Sequence, residues 1–144
     1  VSADTVDSIE LLAPPLIQRL VGRPFRPGAP QSYNRLCLAF RAPLMLRDGL
    51  IDPRLDCTID TIADRVRVTA DENPDHNALS PQVLIVRLHN GQILRRAVAA
   101  NAGSPLAPLS TARARAKLDL CQALAGPAPT RIFTDPLAFA TEPK

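Results

Sequence analysis

The stretch QVLIVRLHNGQILRRAVAA, residues 82–100, decides the fold. Two β-rich runs flank Asn90-Gly91, a dipeptide that readily takes the two positive φ values of a type I′ turn. The pattern predicts a β-hairpin. With a two-residue turn, Leu88 opposes Ile93, Val86 opposes Arg95 and Leu84 opposes Ala97, while the other face pairs Ile85 with Arg96 and Val83 with Val98. Neither face is purely apolar, so this reading leaves the buried face open.

Upstream of the hairpin, residues 71–81 are polar and hold two prolines, and they read as a loop. Before them Val66, Val68 and Ala70 alternate with Arg67 and Thr69, as in a half-buried strand. Residues 51–63 mix turn and helix signals, with Asp52-Pro53 opening a turn and Ile59, Ile62 and Ala63 suggesting a short helix. The best apolar stripe is Tyr33, Leu36, Cys37, Phe40 and Leu44, which predicts one long helix from an N-cap at Ser32 to Gly49, disturbed at Pro43. Residues 23–30 contain three prolines and a glycine and must be a loop. Residues 8–13 form a first strand stopped by Pro14-Pro15, with an irregular stretch after it. Downstream, residues 101–109 are a loop that ends at Ser110, the N-cap of a helix carrying Ala114, Leu118, Cys121 and Ala125 up to Gly126-Pro127.

The order strand, long helix, short helix, strand, hairpin, helix suits an α+β fold. We expect a two-layer sandwich with a small, mainly antiparallel sheet covered by helices. Residues 1–126 form the domain and 127–144 a Pro-rich tail.

The chain has 144 residues, 46% of them apolar, which is material for one aliphatic core. Fifteen prolines and six glycines are too few for a low-complexity chain. Aromatic residues are scarce: Tyr33, Phe25, Phe40, Phe133 and Phe139, and no Trp. This argues against nucleic acid as a partner, because single-strand recognition uses aromatic platforms. No apolar run is long enough to span a membrane, and the first residues have no basic region of an export leader. Cys37, Cys57 and Cys121 are an odd number with no C-x-x-C spacing, so a disulfide framework and a structural zinc site both fail and a reducing, cytoplasmic setting fits. Histidine is limited to His76 and His89, which leaves the commonest general base nearly absent.

Net charge is only +3, but the basic residues are grouped. Six arginines and no acid lie between Glu10 and Asp48, and Arg87, Arg95, Arg96, Arg113, Arg115 and Lys117 lie between Asp75 and Asp119, again without an acid. Fifteen of the seventeen basic residues are Arg, whose planar fork suits carboxylates and phosphates. A solvated surface is the plain reading, and a surface facing an anionic ligand the sharper one. A free-standing anion- or nucleic-acid-binding module is therefore the alternative to an enzyme part. Glycine-rich phosphate loops, a G-x-S-x-G elbow and an H-x-x-x-H pair are all missing. Asp71, Glu72, Asp75 and His76 read as a solvated loop before they read as metal ligands. Cys37, on the apolar stripe, reads as an inert buried thiol.

Four stretches together resemble the C-terminal domain of the MmgE/PrpD family, which includes 2-methylcitrate dehydratase, cis-aconitate decarboxylase and iminodisuccinate epimerase. They are residues 9–14 followed by Arg23-Pro24-Phe25; the helix from Asn34 through Ala42 and Leu46 to Asp48-Gly49; Ala78-Leu79-Ser80-Pro81 leading into strand, Gly91 and strand; and Gly103-Ser104-Pro105, Pro108-Leu109-Ser110 and Lys117. The resemblance spans roughly residues 6–124. It implies an α+β lid that closes over the cleft of a large all-helical domain lying before Val1, in a homodimeric parent enzyme. The implied substrates are small polycarboxylates, and the implied chemistry is proton abstraction next to a carboxylate, followed by loss of water or carbon dioxide or by reprotonation. No metal or organic cofactor is implied. Most catalytic His, Lys and Asp residues belong to the helical domain, so the isolated lid is expected to be inactive. Cys37 and Phe40 are the implied cleft-facing positions, where the family usually has Ser and Tyr, and Phe40 cannot donate a hydrogen bond. Asn34, Arg35 and Arg41 are the implied substrate-binding positions.

Overall fold

A computed structural model describes residues 2–48 and 62–125. The fold is α+β, with one four-stranded sheet and four helices among the described residues. The strands are β1 (Val6–Ala13), β2 (Val66–Ala70), β3 (Gln82–Leu88) and β4 (Ile93–Val98). The helices are α1 (Pro15–Val21), α2 (Gln31–Asn34), α3 (Leu38–Asp48) and α4 (Thr111–Ala125). The chain divides into two compact units, Val1–Ala107 and Pro108–Lys144, whereas the composition places the tail boundary at 126/127. The first unit holds the sheet and α1 to α3, and the second holds α4. Among the described residues no helix is long and apolar enough to cross a membrane.

Strand order is β2-β1-β3-β4, with β1–β3 and β3–β4 antiparallel and β1–β2 parallel. The parallel pair is possible because the chain between β1 and β2 is long enough for a crossover. β1 begins two residues before the alternation in the sequence suggests. Val6 opposes Leu88 and Ser8 opposes Arg87, so Asp7 is an extra residue, a β-bulge. An inserted residue breaks the period of two, which places Val6 and Ile9 on the same side although they are three apart. Both are buried, with Leu11 and Ala13 continuing the row.

The hairpin forms, but its turn is not type I′. Gly91 has φ +84 while no residue other than glycine has a positive φ, so Asn90 lies in the ordinary region. Gly91 N–H donates to the Leu88 carbonyl and Leu88 N–H donates to that of Gln92, which makes a three-residue loop with a glycine bulge. One more loop residue moves the register by one. Val86 opposes Leu94, Leu84 opposes Arg96 and Ile85 opposes Arg95. Leu84, Val86 and Leu88 then share the face of Ile9 and Leu11 and pack on the core, which answers which face is buried.

That core joins Val6, Ile9 and Val66 of the sheet to Cys37, Ala39, Phe40 and Leu44 of the helical layer, with Ile62. Two helical expectations need correction. The prolines that stop β1 also start α1: Pro15 occupies the first helical position, where its missing N–H is not needed. Gly22 ends α1, and a Cβ there would collide with the Gln18 carbonyl oxygen and press on Val68. The long helix expected from Ser32 is broken: Leu36 N–H bonds to the Tyr33 carbonyl and Cys37 N–H to that of Asn34, three-residue turns that separate α2 from α3. Gly49 and most of the expected short helix near Ile59 lie outside the described residues; its described end is a single 3-10 turn, Ala63–Arg65. In the second unit Ser110 caps α4 as expected, its hydroxyl accepting the Arg113 N–H at 3.3 Å.

Ile9→Ala should lower unfolding free energy by about 2–5 kcal/mol, read by urea denaturation. Ile93→Ala, on the opposite face and 56% exposed, should stay within about 0.5 kcal/mol.

Candidate functional site

The broken helix has a local purpose. Asn34 is buried, and its side chain reads the backbone of the proline-rich loop on both sides: Nδ2 donates to the Arg26 carbonyl at 3.1 Å, and Oδ1 accepts the Arg26 N–H at 3.3 Å. Cys37, with no exposed surface, donates Sγ–H to the Arg23 carbonyl at 2.8 Å. Phe40 stacks on Phe25, with ring centroids 5.5 Å apart and planes 13° from parallel. Tyr33 closes the clamp from outside. Its hydroxyl donates to the Pro24 carbonyl, and the guanidinium groups of Arg23 and Arg26 lie over its ring at 5.1 and 5.2 Å. A continuous helix would not aim Asn34 and Cys37 at the same loop with these bonds.

Three of the five positions that the resemblance singles out are thus occupied with holding the loop. Asn34, Cys37 and Phe40 are buried in the first unit, and their polar atoms or ring face bind residues 23–26. Arg35 is exposed, and its carbonyl accepts Nε–H of Arg41 at 2.9 Å. None of the five lines either of the two depressions of this unit described next.

Beside the clamped loop is a depression of about 350 Å³, lined by Arg23, Phe25 and Ala39 from one side and by Asp64, Arg67 and Thr69 from the edge strand β2. Its size suits a small molecule of a few carboxylates. Arg23 and Arg67 are the cationic residues of its lining, and Arg23 also donates one Nη–H to the Leu20 carbonyl at 3.2 Å. Asp64 favours a ligand that also carries a hydroxyl or amino donor. Sequence reasoning does not find this pair. Arg67 looks like the solvent side of an alternating strand, and only the parallel pairing of β1 and β2 brings it near a residue 44 positions away.

A second depression, of about 380 Å³, opens on the sheet face opposite the core, between Arg67 and Arg87. At its end Arg65 donates Nη1–H to the Val6 carbonyl at 3.1 Å. The loop of residues 71–77 uses its polar side chains on itself: Asp71, Asn73 and Asp75 each accept the backbone N–H two residues on. These are Asx turns, which give the loop its path. Among the described residues no group of three or more His, Cys, Asp or Glu is placed to hold a metal ion.

No protein-family model matches the chain, and no curated protein matches it.

Cys37 should resist alkylation by iodoacetamide in the folded protein and react fully in urea, as peptide mass spectrometry can follow, while the half-buried Cys121 reacts first. Asn34→Ala should cost about 1–3 kcal/mol, because it leaves the Arg26 N–H without its partner and the Arg26 carbonyl with the Ala29 N–H alone.

Proposed function

We propose that this chain is the lid domain of an MmgE/PrpD-like lyase or isomerase that acts on small polycarboxylates. One observation carries the reading: the first two stretches of the resemblance, around Arg23-Pro24-Phe25 and Asn34 to Phe40, close on each other and border a depression where Arg23 and Arg67 stand. In this reading the two arginines hold substrate carboxylates, and a base from the all-helical domain removes the proton next to one of them. Loss of a neighbouring hydroxyl as water, or reprotonation, follows; in a decarboxylation the carbon–carboxylate bond breaks instead, and the carbanion left behind takes a proton from the same acid–base group. The lid excludes water and neutralises charge on the developing carbanion. Phe40 takes no part in proton transfer, and its ring serves as the packing surface that fixes the Arg23 loop. A homodimeric parent in the cytoplasm, working without metal or organic cofactor, belongs to the same proposal.

The test uses the full-length product of the reading frame that encodes this chain, next to the chain alone. Exchange of the proton next to the carboxylate is followed by NMR in D₂O, with citrate, 2-methylcitrate, cis-aconitate and iminodisuccinate as substrates. The full-length protein should turn over at least one of them and the isolated chain none. Arg23→Gln or Arg67→Gln should raise KM by about ten-fold or more, the loss of one charged hydrogen-bond pair. Turnover by the isolated chain, or full-length variants with unchanged kinetics, would refute the reading.

A further inference from the structure

We propose that the open face of the sheet is a docking surface for an amphipathic helix that carries carboxylates along both margins of its apolar stripe. The register defines this face row by row. Glu10 lies beside Arg67 on β2 and Ile85 on β3, and Ile85 lies beside Arg95 on β4. One row along, Leu12 lies beside Thr69 and Val83, and Val83 beside Ala97. In the other direction Ser8 pairs with Arg87, and Arg87 with Ile93. All these side chains point away from the core, whose helices cover the opposite face.

Leu12, Val83, Ile85, Ile93 and Ala97 therefore make an apolar strip, with Arg67 along one margin, Arg95 along the other and Arg87 at the end. Ile93 is 56% exposed. The guanidinium groups of Arg67, Arg87 and Arg95 have no hydrogen-bond or ion-pair partner among the described residues. The acid within the strip, Glu10, accepts the Thr69 hydroxyl hydrogen bond at 2.9 Å. The cations at the border are thus the groups left to recognise a partner.

Size and charge choose the occupant. Strands about 4.8 Å apart, and rows about 6.8 Å apart, make a patch of roughly 300–400 Å². That is about half of one side of a standard protein interface, and enough for one helix about 10 Å across. A second copy laid face to face would set arginine against arginine. An acidic, amphipathic helix satisfies both the strip and its margins.

The test titrates the ¹⁵N-labelled 144-residue chain with a synthetic helical peptide of roughly 18 residues, Leu along one face and Glu on both margins, and with its Lys twin. The Glu peptide should shift the amides of Leu12, Val83, Ile85, Ile93 and Ala97, and the Lys twin should bind about ten-fold more weakly. Ile93→Glu should abolish binding with the spectrum otherwise folded, and Arg87→Glu with Arg95→Glu should reverse the preference between the peptides. The proposal falls if the two peptides bind alike, if the shifts map to the helical layer, or if nothing binds at about 1 mM. It also falls if phosphatidylserine vesicles or a short RNA saturate this face at lower concentration than the peptide, or if Ile93→Glu dissolves a dimer of the chain. These outcomes leave the lid reading untouched, because Arg87, Arg95 and Ile93 do not line the Arg23 depression.

Discussion

β1 is hydrogen-bonded along both edges, and the rest of the first unit depends on that double pairing. Its parallel partner β2 and antiparallel partner β3 are far from it in sequence, so each ladder closes a long loop whose entropy must be offset by burial. Val6, Ile9, Leu11 and Ala13 supply that burial from one strand. Each fully buried aliphatic side chain contributes about 1.5–3 kcal/mol. The bulge at Asp7 is what lets four such residues share a face.

The helical layer follows the same economy of means. A junction of three residues between α2 and α3 converts one apolar stripe into a clamp, in which an amide, a thiol and a ring each hold a different part of residues 23–26. A loop with three prolines has few backbone donors of its own, and so side chains from elsewhere must meet its carbonyls. This is why Asn34, Cys37 and Phe40 turn their polar atoms and ring face to that loop. The arginines that line the adjacent depression are Arg23, from the held loop, and Arg67, from the edge strand.

The open face of the sheet shows how charge and pairing divide the work. An apolar strip bounded by Arg67, Arg87 and Arg95 is unlike the all-polar outer face that an antiparallel sheet commonly turns to water. Arginine on the edge strand β4 also discourages edge-to-edge association.

Much of the fold was legible in the sequence, and the limits of that reading are physical. Alternation over residues 8–13 and 66–70, the Asn90-Gly91 turn and the Ser110 cap are local signals, and local signals determined strands, hairpin and helix. The bulge at Asp7, the extra loop residue at Gly91 and the break after Asn34 were not legible, since each is chosen by what packs against it. A one-residue change in register exchanges the faces of a strand. The sequence alone determined an α+β chain with an aliphatic core and grouped arginines. Tertiary structure decided that Asn34, Cys37 and Phe40 are supports while Arg23 and Arg67 border a depression, because only long-range strand pairing brings residues so distant in sequence to one place.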